Sequence, residues 1–145
     1  VPLSGRLRAV LDTNVLLDLW LFDDARTRPL RAAIDAGRLH VVRSRACDDE
    51  FARVLARERF GLDAAARQAL LARWQQCGEA VEPAAAAPLA SGDPDDQKFL
   101  DTAFAAAAEL LLTRDKALLR LARRAAALGL RIAEPVGSMT YDPGR

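Results

Sequence analysis

The chain has 145 residues, 51% hydrophobic and 28% charged, with a formal net charge of +1. This suffices for one domain with a sizeable core and excludes an intrinsically disordered chain. It also excludes a global basic field for nucleic acid, and no apolar run reaches the roughly 18 residues that would span a bilayer.

Residues 8–11 form a short apolar run ending in Asp12 and read as a buried strand. Residues 14–21 continue as an apolar helix or turn, broken at Asp23 and Asp24. Thr27 caps a helix with Pro29 in its first turn, running to Ala36 and stopped by Gly37. Residues 39–42 read as a second strand, followed by Ser44 as N-cap of a helix over 45–58 with Phe51, Val54 and Leu55 on one face. Gly61 closes that unit. Asp63 caps a further helix to Gln76, with Leu70, Leu71 and Trp74 on its apolar side. Residues 80–82 form a weak third strand before a proline–alanine loop over 83–92. Asp93 or Asp95 caps a helix through Ala108, and residues 110–113 are a fourth strand. A helix over 116–128 is closed by Gly129, residues 130–133 are a fifth strand, and the tail from Glu134 is loose. Alternating strands and helices predict a parallel sheet covered by helices on both faces.

Cys47 and Cys77 stand far apart in no metal-ligand spacing and read as reduced thiols of a cytoplasmic protein. Residues 1–8 lack the apolar segment of a secretory signal. His40, the lone histidine, falls on a strand and reads as structural.

Charge is unevenly distributed. Residues 110–132 carry a local balance of +5, whereas residues 93–101 carry −3. An acidic pocket beside basic surface suits a metal site that receives a phosphate backbone, although an Arg-rich helix also makes an ordinary solvated face. In open α/β sheets ligands bind beyond the carboxyl ends of the strands. Four acids fall near that edge: Asp12 ends strand one, Glu50 lies in the helix after strand two, Asp96 opens the helix leading to strand four, and Asp115 follows strand four. Local roles compete: Asp115 and Asp96 sit where N-caps sit, and Glu50 has Arg53 in reach at i+3. Asp12 is harder to explain locally, because a carboxylate at the end of a buried strand is costly unless hydrogen-bonded or holding a cation. Clustered carboxylates without a histidine or cysteine cluster select Mg²⁺ or Mn²⁺. Such a metal, activating water, suits phosphodiester hydrolysis.

Four segments, in order, carry a resemblance: VLDTNVLL (10–17), SRACDDEFARVL (44–55), and DPDDQKFLDTAFAAAAELLLTRDKALL (93–119), which spans two blocks. The chain resembles the PIN-domain nucleases from about residue 8 to 135. The resemblance implies a three-layer α/β/α sandwich with a parallel five-stranded sheet, one or two Mg²⁺ or Mn²⁺ ions, and cleavage of RNA. It implies Asp12, Glu50, Asp96 and Asp115 as the metal-binding set, with Asp96 chosen over Asp95 on spacing. Asn14 would orient Asp12, Thr113 would contact metal-bound water or phosphate, and Ser44 stands where this branch has a serine, as a cap. Asp101 is left out, since its helical phase turns it elsewhere. It further implies a VapC-like toxin of a toxin–antitoxin pair, with an antitoxin partner and a homodimer; the apolar residues 16–22, read as exposed, are the surface considered for dimerisation.

Two other functions compete. An aspartate-based phosphohydrolase or phosphotransfer domain also places an acid at a strand end, but Asn14 stands where a haloacid dehalogenase-like phosphatase needs its second aspartate. A PIN-like fold can also act as an RNA-binding module without catalysis.

Overall fold

The computed structural model describes residues 7–136 and 140–141. Five strands, β1 (Leu7–Leu11), β2 (Leu39–Arg43), β3 (Glu79–Ala80), β4 (Leu110–Leu112) and β5 (Arg131–Ala133), form one sheet in the order β3-β2-β1-β4-β5. Every pairing is parallel; β1 is central, with Ala9 opposite Leu110 on one side and Leu39 following Leu7's register on the other.

Successive strand residues point to opposite faces, and both faces are buried here. Ala9, Leu11, Val41, Leu110 and Leu112 pack into one core, whereas Val10, Val42, Leu111 and Ile132 pack into another. The first core is covered by α1 (Thr13–Leu16), α2 (Arg28–Asp35), α3 (Arg45–Leu55) and α4 (Ala64–Cys77), which supply Leu16, Leu30, Phe51 and Trp74. The second is covered by α5 (Gln97–Ala105), α6 (Lys116–Leu119) and α7 (Ala122–Ala127), through Phe99, Leu118 and Ala125. The result is the three-layer α/β/α sandwich with a parallel five-stranded sheet. Among the described residues, no helix is long and apolar enough to cross a membrane.

Several boundaries differ from the sequence reading, each for a local reason. The helix after β2 ends at Leu55 because the backbone turns extended at Arg57 and then forms a short 3₁₀ turn, Glu58–Phe60, closed by Gly61 at φ 61°. The alanine run 105–108 gave no stop signal, yet α5 ends at Ala105: Ala107 adopts φ 52° and the Ala108 amide donates back to the Ala103 carbonyl. The helix predicted over 116–128 is two pieces, separated where the Leu121 amide bonds the Leu118 carbonyl in a tighter turn. The third strand lies at Glu79–Ala80, and His40 pairs with Glu79 across β2 and β3 at 2.9 Å, a structural role.

Residues 16–22 are not the exposed patch the sequence indicated. Helix α1 widens into a π-helical turn, Leu17–Leu21, that tucks Leu16, Leu17 and Leu19 into the core and leaves Trp20 and Leu21 half-buried. Only Phe22, at 54% exposure, faces solvent. The tail reading also changes at Tyr141, which is buried in the first core. The rest of that reading, at 137–139 and 142–145, and the signal-segment reading over 1–6, lie outside the described residues.

Candidate active site

The strand order reverses direction between β1 and β4, and the crevice beyond their carboxyl ends is where open α/β sheets bind ligands. Asp12 directly follows β1, and its amide continues the ladder by donating to the Leu112 carbonyl at 2.9 Å. Thr113 directly follows β4, and its amide donates to the Ala133 carbonyl at 3.0 Å. Backbone pairing thus fixes both residues at the mouth of the crevice.

Three aspartates meet there. One carboxylate oxygen from each of Asp12, Asp96 and Asp115 lies within 4.8 Å of the others. Asp12 and Asp96 are buried and Asp115 is half-buried. Each is freed for the crevice by a different local device. Asp115 caps α6 through Oδ1, which accepts from the Ala117 amide at 2.8 Å, so its other oxygen stays available. Asp93, not Asp96, supplies the side-chain cap of the 3₁₀ turn Pro94–Asp96, accepting from the Asp95 amide at 3.0 Å. Asp95 is exposed and outside the three-acid group. Asp96 Oδ2 is buried and no donor among the described residues reaches it.

Thr113 is the hinge of the arrangement. Its fully buried hydroxyl donates to Asp12 Oδ2 at 2.6 Å and accepts from the Asp115 amide at 2.9 Å. It thereby aims Asp12 and pins the backbone of Asp115. Its one proton is committed to Asp12, which gives it a positioning role, while its second lone pair stays open to the metal-bound water that the resemblance implies. Asn14 reaches Asp12 Oδ2 with Nδ2 only at 3.5 Å, while its Oδ1 accepts from the Arg114 amide at 3.3 Å; it ties α1 to the end of β4 more than it orients Asp12.

Glu50 does not join the three. On α3, its Oε2 accepts from the Thr13 hydroxyl at 2.5 Å and its Oε1 from Lys98 Nζ at 2.8 Å. The local partner Arg53 is not used; the cation comes from α5 instead, 48 residues away in sequence. Ser44 caps α3, accepting from the Cys47 amide at 3.5 Å, and also accepts from the buried Thr102 hydroxyl at 2.8 Å. Asp101 accepts from the Ala87 amide and Gln97 Nε2, holding the 83–92 loop rather than facing the crevice.

Two participants were missed in the sequence. Lys98 was counted only in the charge of its acid-rich segment, although a lone lysine two residues past Asp96 was the available signal. Asp18 has no role in the sequence reading, which takes only the apolar residues around it as a surface. It is buried in the π-helical turn and takes Arg114 Nε at 2.6 Å and Nη2 at 3.2 Å.

The electrostatics follow from burial. Removal from water pushes Asp12 from 3.8 up to about 6, against the Thr113 hydrogen bond, with the charges of Glu50 and Asp115 adding to the rise. Burial pushes Asp96 to about 7, with Asp115 beside it the next cause. Among the described residues, no lysine or arginine is ion-paired with any of the three. A crowded carboxylate set with an orphaned buried oxygen and no protein cation fits a bound cation.

The PIN-domain family model matches residues 8–117, which include all four sequence-predicted acids. The chain belongs to the PIN-domain family. No curated protein matches it. PIN domains are generally nucleases that depend on divalent metal, and the three aspartates here could hold such an ion.

Proposed function

We propose that this PIN domain is an Mg²⁺- or Mn²⁺-dependent endoribonuclease, and the toxin of a VapC-like toxin–antitoxin pair. The observation that carries the nuclease reading is the cluster of Asp12, Asp96 and Asp115 at the β1–β4 crevice, with Asp96 Oδ2 buried and unpartnered. Oxygen-only donors favour Mg²⁺ or Mn²⁺ over zinc. The bound ion would lower the pKa of a coordinated water and offset charge on the phosphoryl oxygens.

The chain's own residues do the rest. Asp12, Asp96 and Asp115 hold the ion, and Thr113 keeps Asp12 and Asp115 in register. Glu50 acts from one layer further out: its charge reaches Asp12, but its two oxygens are taken by Thr13 and Lys98.

RNA as substrate, the toxin role, an antitoxin partner and homodimerisation are supported by the sequence resemblance, and cytoplasmic residence by the free thiols of Cys47 and Cys77. Cleavage is tested on a panel of RNAs with Mn²⁺, comparing the wild type with Asp12→Asn. The wild type should cut and the variant should not; equal cutting by both would overturn the site. Growth arrest on expression of the wild type, relieved by Asp12→Asn and by co-expression of a neighbouring small reading frame, tests the toxin role.

A further inference from the structure

A groove of about 450 Å³ opens beside the acid cluster. One wall is the loop carrying Ser91 and Asp93; the other is the turn from α6 into α7, carrying Ala117, Arg120 and Arg124. Both walls run directly into the acids. Asp93 caps the turn that ends in Asp96, and the Ala117 amide donates to Asp115. The groove is thus lined by the same two segments that carry Asp96 and Asp115.

Its chemistry is opposite to that of the crevice. Arg120 and Arg124 are exposed, and their guanidinium groups have no side-chain hydrogen bond or ion pair among the described residues. The acid facing them is Asp93, one of whose oxygens already accepts from the Asp95 amide. The volume falls in the range of a small ligand, about one nucleotide unit. No aromatic side chain lines it, so it offers a base no aromatic platform. What remains is a pair of guanidinium forks, which bind phosphate oxygens.

We propose that this groove holds the phosphodiester backbone of a single nucleic-acid strand next to its scissile linkage, with Arg120 and Arg124 on the flanking phosphates. The proposal rests on the nuclease reading of the three aspartates. Contacts to phosphate fix register and carry no sequence information, so the groove positions the strand without selecting bases.

The test is binding of a fluorescein-labelled oligouridylate by fluorescence anisotropy, in an Asp12→Asn background that does not cut, over about a tenfold range of KCl. Two phosphate contacts contribute about 1.4 to the log–log salt slope for a single strand. Arg120→Ala with Arg124→Ala should flatten the slope by about that much and weaken binding about tenfold near physiological salt. The same charge removed at Arg57 and Arg59, at the far end of α3, should leave both unchanged. An unchanged slope in the first pair, or an equal loss in the second, overturns the groove. So does displacement of the RNA by polyglutamate at equal charge concentration. Failure here is separable from failure of the nuclease reading. Unaffected binding alongside Asp12-dependent cleavage removes the groove alone. Arginine-dependent binding by a wild type that cuts nothing removes the nuclease alone.

Discussion

Asp12 and Asp18 lie six residues apart, on consecutive turns leaving the same strand, and are exposed by only 4% and 6%. Their surroundings are opposite. Asp18 receives a two-pronged guanidinium from Arg114, a cation the chain itself provides. Asp12 receives one hydroxyl and faces two more aspartates. Arg114 makes the contrast sharper, because it sits between Thr113 and Asp115 and yet turns its charge toward Asp18. A buried carboxylate with its own arginine fastens the π-helical turn to the end of β4. A buried carboxylate left among others is built to be neutralised from outside. Burial alone therefore does not mark a functional acid; the source of its counter-charge does.

The largest expected effect tests that division in activity. Asp12→Asn should lower metal-dependent cleavage by about 10³-fold, since it replaces one of three carboxylates around the ion that offsets transition-state charge with a neutral amide. Asp18→Asn should keep cleavage within a few-fold at a temperature where it is folded. Single-turnover rates on one RNA decide between them. If Asp18→Asn abolishes cleavage while its thermal transition stays in place, the two aspartates do not divide as described.

Next in size is the structural half. Arg114→Ala strands the buried Asp18 and should destabilise the fold by about 3 kcal/mol, read from urea unfolding. Replacing both partners, Asp18→Leu with Arg114→Met, should recover most of the loss, because the desolvation cost leaves with the pair. A double variant no more stable than Arg114→Ala would mean that the guanidinium packs rather than pairs.

These two aspartates also mark what could be read from the sequence. The strands were legible because β1, β2 and β4 are short apolar runs with turn residues at their ends, and Ser44 and Asp63 announced their helices as caps. Asp12, Asp96 and Asp115 were legible because two strand ends and the start of a helix that leads into the next strand fall on one rim whatever the side-chain detail. Asp18 was not, since a π-helical turn changes helical phase without any residue that signals it. Glu50 was read with the metal set from its place near the rim and from the resemblance of residues 44–55; its pairing with Lys98 was not legible, because no local spacing encodes it. The split between α6 and α7 and the end of α5 fall in leucine- and alanine-rich stretches where tertiary packing, not propensity, sets the break.

A smaller effect follows from the titration of the cluster. For the metal-free protein, Asp12 and Asp96 bind protons more tightly folded, at about 6 and about 7, than at the unfolded value of 3.8. Between about pH 4 and 7 the native state thus holds more protons than the unfolded state, and stability falls as pH rises through that window. Asp24 has the opposite sign, lowered to about 2 beside Arg26, but its contribution is lost only below pH 4 and does not overlap. In EDTA, the thermal midpoint should be several degrees higher at pH 5 than at pH 7.5. Mn²⁺ should raise the midpoint at pH 7.5 far more than at pH 5, because protonated carboxyls release the ion. Asp12→Asn should flatten the metal-free profile, whereas Arg114→Ala should lower it and make its fall with rising pH steeper, because Asp18 loses the cation that favours its charged form. A profile that rises from pH 5 to 7.5 in EDTA would mean the three acids are not crowded in solution.

The smallest effect concerns the acid that lies between the two cases. Glu50 has a cation from the chain, as Asp18 does, but stands close enough to add to the charge felt by Asp12, as the crevice acids do. Lys98 makes the difference: its ammonium neutralises Glu50 from α5 at 2.8 Å, with both side chains mostly buried. Lys98→Gln keeps a hydrogen-bond donor of similar length and removes only the charge. Glu50 then presents a full negative charge to the crevice. At close to bulk-water screening, a unit charge about 8 Å from a divalent ion is worth about 1 kcal/mol. Mn²⁺ affinity, measured by calorimetry, should therefore rise by up to about tenfold. Glu50→Gln should lower it by a similar factor, and the double variant should return near the wild type, because the two charges act on the ion with opposite sign. An affinity that falls in Lys98→Gln would show that the lysine holds the crevice open rather than damping its charge, and would move Glu50 to the structural side of the comparison with Asp18.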